Sequence, residues 1–240
     1  MGPDDHSHRR LTRWLVCRLR TQPPIWLLGQ SLQRLVIDES ELANWARNRL
    51  DPTLRTLRGR GGGARYLAHT HRPSKVVGVD FSKSAVELCR KSHRDVANLE
   101  FVTGDAEDLP LDDASCDVVI NVESSHCYGN VDKFFAEVMR VLRPGGHFAC
   151  ADFRSLADMK QLEATLASLP GCKLIESVDI TERVVAALVS DDVRKRRLIE
   201  EIVTPRLRHI FGEFAGLSGG QMFTSLQERE TVYYRFLLQK

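Results

Sequence analysis

The chain has 240 residues, 42% hydrophobic and 28% charged, near the globular average, so a packed core is expected in one large α/β domain or two small ones. Its 34 basic and 32 acidic residues leave a formal charge of +2, too balanced to point to a nucleic-acid partner. Six cysteines without a CxxC pair, several inside apolar runs, argue against a disulfide scaffold or a zinc site and for a reduced, cytoplasmic protein with no metal.

Residues 1–8 are polar, and a helical extension is expected over the rest of 1–50, broken at Pro23-Pro24. Its face of Leu11, Trp14, Leu15 and Arg18 fits packing on the domain, with peripheral membrane contact as the alternative. Arg18 and Arg20 interrupt the apolar segment too early for a signal peptide, and no apolar run reaches the roughly 18 residues of a spanning helix. From 51 to 240 a single domain is expected. Val76 to Val79 is a short apolar strand ending in Asp80, and Ser82 or Ser84 caps a helix running to about His93. Leu99 to Val102 reads as a strand. Cys116 to Val122 is apolar at nearly every position, as in a strand buried on both faces. Val131, Phe134, Phe135, Val138, Val141 and Leu142 keep helical spacing until Pro144-Gly145-Gly146, and His147 to Phe153 is the next strand. This alternation predicts a doubly wound, Rossmann-like, mostly parallel sheet. Beyond it come a helix over 156–168, a strand from Lys173 to Thr181, a helical lid over about 182–226 broken at Thr204-Pro205, and a last strand from Thr231 to Leu238. The lid's apolar residues, among them Val184, Leu188, Val189, Ile199, Ile202, Ile210 and Phe211, fit core packing first and a tunnel for a lipid-like acceptor second. The basic run Arg194 to Arg197 reads as a solvated helix face.

Ligands of open α/β sheets sit outside the carboxyl ends of the strands. Three such ends carry suitable groups here. Gly59, Gly61 and Gly63 permit close backbone approach and open a helix; Asp80 can accept hydrogen bonds from both ribose hydroxyls; Asp105-Ala106 can meet an adenine edge. Gly59-x-Gly61-x-x-Ala64 also overlaps the dinucleotide fingerprint, which would make the chain an NAD(P)-dependent oxidoreductase.

The stretches Gly104-Asp105-Ala106-Glu107-Asp108-Leu109-Pro110, Asp117-Val118-Val119 and Val141-Leu142-Arg143-Pro144-Gly145-Gly146 resemble the class I S-adenosylmethionine-dependent methyltransferases over about residues 59–153. Within that class "GRGGGARYL", "NVESSHCY" and "LRPGGHFACADFR" are similar to the phthiotriol dimycocerosate and glycolipid methyltransferases, which methylate lipid hydroxyls. The resemblance implies S-adenosyl-L-methionine as cofactor and a small-molecule or lipid-like acceptor. It places Gly59, Gly61 and Gly63 at the methionine part, Asp80 at the ribose, Phe81 stacked on adenine, and Asp105 and Ala106 at the adenine edge. Asn121 and Glu123 would face the amino-acid end and the acceptor. The family pattern before the glycines is an acid, a residue, then glycine. Aligned without gaps, Arg55 takes the acidic position and Leu57 that of the first glycine. A cation there would repel the cofactor's ammonium group, so a weakened enzyme, a non-catalytic scaffold protein and an altered segment all remain open.

An alcohol must lose its proton as it is methylated. His126 is the base candidate, with Glu123 three residues earlier to orient it or act instead. His147 reads as structural. Tyr128 fits the acceptor pocket or the core equally.

Overall fold

A computed structural model describes residues 53–57 and 61–240; the expected N-terminal extension and Gly59 lie outside the described residues. The strands are β1 (Thr53–Leu57), β2 (Lys75–Asp80), β3 (Leu99–Thr103), β4 (Cys116–Val122), β5 (Leu142–Ser155), β6 (Lys173–Asp179) and β7 (Thr231–Gln239). They form one sheet in the order β3-β2-β1-β4-β5-β7-β6. The first five strands pair in parallel and β7 runs antiparallel between β5 and β6. The sheet is therefore the mostly parallel, doubly wound one expected.

Helices α1 (Gly62–Thr70), α2 (Lys83–Ser92), α3 (Val131–Val141) and α4 (Leu156–Ala167) cover both faces. Side chains alternate along each strand, so successive residues feed separate cores. Val76, Val118 and Ile120 pack with Leu67 of α1 and Val86 of α2. Val77, Val79 and Val119 pack with Phe134, Phe135 and Val138 of α3 and Met159 of α4. Burial on both sides explains why these strands are apolar almost throughout. Ser82, not Ser84, caps α2, its hydroxyl accepting from the Ala85 N–H at 3.3 Å.

One local feature differs from the expectation. Strand β5 begins at Leu142, immediately after α3, and runs through Pro144-Gly145-Gly146 instead of starting at His147. The three residues form an irregularity: Cys116 pairs with Leu142 but Val118 pairs with His147. The strand holds there because the Gly145 N–H donates to Lys240 O and the Lys240 N–H to Gly146 O, at 2.7 and 3.0 Å. The strand expected ahead of the glycines is the run Thr53-Leu54-Arg55-Thr56-Leu57, central and parallel, with Leu57 in register with Val79 on one side and Asn121 on the other. Pairing on both edges overrides its weak strand pattern.

The 182–226 segment folds as α5 (Thr181–Ser190), α6 (Asp192–Ile202), a 3₁₀ turn at Pro205–Leu207, α7 (Arg208–Phe214) and α8 (Gln221–Gln227). Val184 and Leu188 of α5, with Phe223 and Leu226 of α8, complete one face core and so act as a layer of the domain. Ile199, Val203, Phe211 and Ala215 make a small separate core between α6 and α7. Core packing holds for those residues and fails for Val189, Ile202 and Ile210, which are exposed because they point away from both cores. Among the described residues no helix is long and apolar enough to cross a membrane, and no group of three or more acidic, His or Cys side chains could hold a metal.

Candidate active site

Parallel pairing brings the carboxyl ends of β1 to β5 to one edge. Gly61 caps α1 there in a left-handed conformation, φ 76°. A Cβ at this position would stand 2.5 Å from Phe101 Cζ and 2.7 Å from His93 Cδ2, so only glycine fits. Gly63 lies in the first turn of α1, which contains no acidic residue. The early N–H groups of a helix lack intrahelical acceptors and attract an anion such as a carboxylate.

Asp80 ends β2, and its Oδ1 accepts from the Ser82 N–H at 2.8 Å. Beside it Phe81 is 77% exposed, an unusual position for an aromatic ring that has no ligand to cover. The Gly104 N–H donates to Asp80 O at 3.1 Å, which puts the ends of β2 and β3 side by side. Asp105 follows at once. Its Oδ1 accepts from the Glu107 N–H, fixing the turn, and Ala106 packs at the edge of the core. Asn121 near the end of β4 is fully buried. Its Nδ2 donates to Tyr128 Oη at 2.9 Å, while its Oδ1 has no partner among the described residues. A buried amide oxygen left unpaired is costly and suits a donor such as a ligand ammonium. Of its two expected roles Tyr128 takes that of packing the core: its hydroxyl donates to Ser124 Oγ at 3.1 Å and its ring meets Phe134 edge-on, 4.8 Å between centroids.

His126 sits in a 3₁₀ turn, Ser125–Cys127, just beyond β4. Its Nδ1 lies 2.6 Å from Oδ1 of Asp152, a fully buried residue of β5. Asp152 Oδ2 also accepts from the Ser125 hydroxyl at 2.6 Å and from the His126 N–H at 2.9 Å, and Oδ1 accepts from the Phe153 N–H at 3.0 Å. The Arg154 guanidinium donates to Ser125 Oγ at 2.9 Å and stands 3.8 Å from the carboxylate. Burial is the largest single influence and opposes charge on the imidazole, but the hydrogen bonds and charges of Asp152 and Cys127 together outweigh it, and the His126 pKa rises from 6.5 to about 9. Burial likewise works against the Asp152 carboxylate, yet His126, Arg154 and Ser125 together hold its pKa below the usual value. The carboxylate that orients His126 is thus Asp152 and not Glu123. Glu123 takes a left-handed φ of 51° at the end of β4, uncommon for a residue other than glycine. Together with burial, its charge drives the Tyr233 phenol pKa well above the usual value, and it also acts on Lys195 of α6. Lys195 is buried, its Nζ donating to Ala215 O at 3.0 Å. His147 is buried within β5 opposite Val118, in keeping with a structural role.

Of the residues expected at the site, Gly61, Gly63, Asp80, Phe81, Asp105, Ala106, Asn121, Glu123 and His126 all fall along the strands' carboxyl edge. Asp152 was missed. The available signal was an acid in an apolar run, Cys150-Ala151-Asp152-Phe153, on a strand pairing with β4.

A methyltransferase domain family matches residues 57–150. The chain is also 40% identical over 182 residues to a phthiotriol/phenolphthiotriol dimycocerosates methyltransferase of Mycobacterium tuberculosis strain H37Rv, an alignment spanning 76% of this chain and 67% of that protein. The chain belongs to this methyltransferase family. A fatty-acid O-methyltransferase of Mycolicibacterium smegmatis is 40% identical over 165 residues, 60% of each chain. Among solved structures, one from Galdieria sulphuraria described as a sarcosine dimethylglycine methyltransferase shares the fold, with a TM-score of 0.73 at 16% identity over 87% of this chain and 85% of that one. A geranyl diphosphate methyltransferase in complex with S-adenosylmethionine does so with a TM-score of 0.60 at 17% identity over 87% and 84%. The oxidoreductase reading of the glycine loop is accordingly set aside. S-adenosylmethionine is the family's cofactor, and the edge fits it: a glycine cradle, an acid at Asp80, an uncovered ring at Phe81 and an orphaned amide oxygen at Asn121.

Proposed function

We propose that this methyltransferase moves the methyl group of S-adenosylmethionine to a hydroxyl of a lipid-like acceptor. The observation that carries the reading is the His126–Asp152 pair at 2.6 Å. Asp152 accepts the Nδ1 proton, so the ring presents Nε2 as the proton acceptor. The bound cofactor supplies an electrophilic methyl carbon on a sulfonium. Gly61 and Gly63 would leave room for its amino-acid end, Asn121 Oδ1 would accept from its ammonium, Asp80 would accept from the ribose hydroxyls, and Phe81 would cover the adenine. His126 Nε2 takes the acceptor's hydroxyl proton, and Asp152 stabilises the imidazolium that results. With a pKa of about 9, only about a hundredth of the rings are free to accept a proton at pH 7. The rate should then climb with pH towards 9. Support for a lipid acceptor comes from the names of the relatives, which act on dimycocerosates and fatty acids.

The test is transfer of labelled methyl from S-adenosylmethionine to long-chain alcohols by the wild type and His126→Gln. The variant should lose about 10²- to 10⁴-fold in kcat and keep its cofactor affinity. Full activity in the variant, or transfer only to carboxylic acids, would overturn the reading.

A second reading, a non-catalytic binding protein on the same fold, is favoured by one observation. Aligned without gaps on the family pattern, Arg55 and Leu57 fall at the acid and first-glycine positions, and Leu57 is in register with Asn121. Cofactor titration of the wild type against Arg55→Glu/Leu57→Gly separates the two. A large gain in affinity favours an impaired loop; micromolar binding by the wild type with no gain favours the enzyme.

A further inference from the structure

We infer that the tip of the lid docks on an anionic lipid surface. Among the described residues eight large hydrophobic side chains are exposed, and five of them lie between positions 189 and 210. Ile202, Leu207 and Ile210, at 45%, 40% and 41% exposure, cluster where α6 ends and the 3₁₀ turn leads into α7. From Thr204 to Ile210 only Arg208 is even half-buried. No acidic residue occurs between Glu201 and Glu213, whereas Arg206, Arg208 and His209 fall within that stretch. Arg208 is committed to the end of α6, donating to Val203 O and Glu200 O, which leaves exposed Arg206 as the outward cation. The tip is held from behind by Ile199, Val203, Phe211 and Ala215. It therefore displays aliphatic side chains beside one outward cation, with no acidic residue among them, on a packed base, a composition that suits the boundary between anionic headgroups and acyl chains.

The neighbouring basic run does not add to this charge. Arg194 pairs with Asp191, Arg196 with Asp192 and Arg197 with Glu201. Attraction is thus local to the tip, and aliphatic insertion supplies most of the binding. The proposal rests on the lipid-acceptor reading for its purpose, since the lid packs on the sheet through Val184, Leu188, Phe223 and Leu226 and a docked tip would hold the domain at a bilayer that carries its acceptor. It stands on the lid surface for its evidence.

The full chain should cosediment with phosphatidylcholine vesicles containing phosphatidylglycerol, more at low salt than at high salt. Leu207→Ser/Ile210→Ser should weaken this by about tenfold or more and Arg206→Gln by about fivefold. Leu156→Ser, an exposed leucine at the start of α4, should leave it unchanged. Both lid variants binding like the wild type would overturn the proposal, because the attachment would then lie elsewhere in the chain. Equal capture by pure phosphatidylcholine, or lid variants that alter only the oligomeric state in sedimentation velocity, would overturn it too. Methylation of a water-soluble alcohol is measured in parallel, and the lid variants should retain it. If no alcohol is methylated but the lid variants still lose vesicle binding, the enzymatic reading fails and the docking surface remains.

Discussion

Replacing Asp152 by asparagine keeps the shape of the buried side chain and removes its charge. In the wild type the His126 pKa stands at about 9 against 6.5 for an unperturbed imidazole. Each unit corresponds to about 1.4 kcal/mol, so the protonated ring contributes about 3 kcal/mol to folding. The ring is 20% exposed, so solvent screening takes away little of this. Because the folded value lies above the unfolded one, the contribution is fully present below about pH 6.5 and is lost as pH rises through about 9. Urea denaturation of wild type and Asp152→Asn from pH 5.5 to 9.5 should therefore show a gap that is widest at the acid end and narrows by about 3 kcal/mol at the alkaline end. A residual gap should persist, because the Ser125 hydroxyl and the His126 and Phe153 N–H groups then face a neutral acceptor. Titration of the His126 ring by proton NMR should follow the same curve, falling to 6.5 or below in the variant. A wild-type ring titrating near 6.5, or one that does not move in Asp152→Asn, would refute the reasoning and with it the oriented-base mechanism.

Gly61→Ala should destabilise the fold by about 1–3 kcal/mol, since the added methyl meets the Phe101 and His93 rings at a positive φ; thermal denaturation without cofactor measures it. Phe81→Ala should leave stability within about 0.5 kcal/mol and weaken cofactor binding by about 0.5–1.5 kcal/mol, read by calorimetry. Asp80→Ala should weaken cofactor binding further, by about 1.5–3 kcal/mol for a lost hydrogen bond to a charged group, with the folded circular-dichroism spectrum retained.

The buried parallel strands were legible because burial on both faces demands unbroken apolar runs such as Val76-Val77-Gly78-Val79 and Cys116 to Val122. Strand β1 carries no such run, with Arg55 between two threonines and two leucines. It is a strand because β2 and β4 leave between them an edge that only another backbone can satisfy. The start of β5 was misplaced for a related reason. Pro144-Gly145-Gly146 reads locally as a stop, and it is the return of the last residue, Lys240, to Gly145 and Gly146 that carries the strand through it.

The glycine loop, Asp80 and Asp105 stand out in the sequence because each lies at the end of its own strand, where local residue type decides what a ligand could meet. The chemistry of His126 depends on a residue 26 positions away. The sequence by itself determined the doubly wound fold and the family. Only the tertiary structure decided which carboxylate holds the histidine, because pairing of β4 with β5 sets Asp152 beneath the turn after Val122, within 2.6 Å of the His126 ring. Whether a titratable group is tuned or idle depends on burial and on partners brought from other strands, and neither is written in the residues next to it.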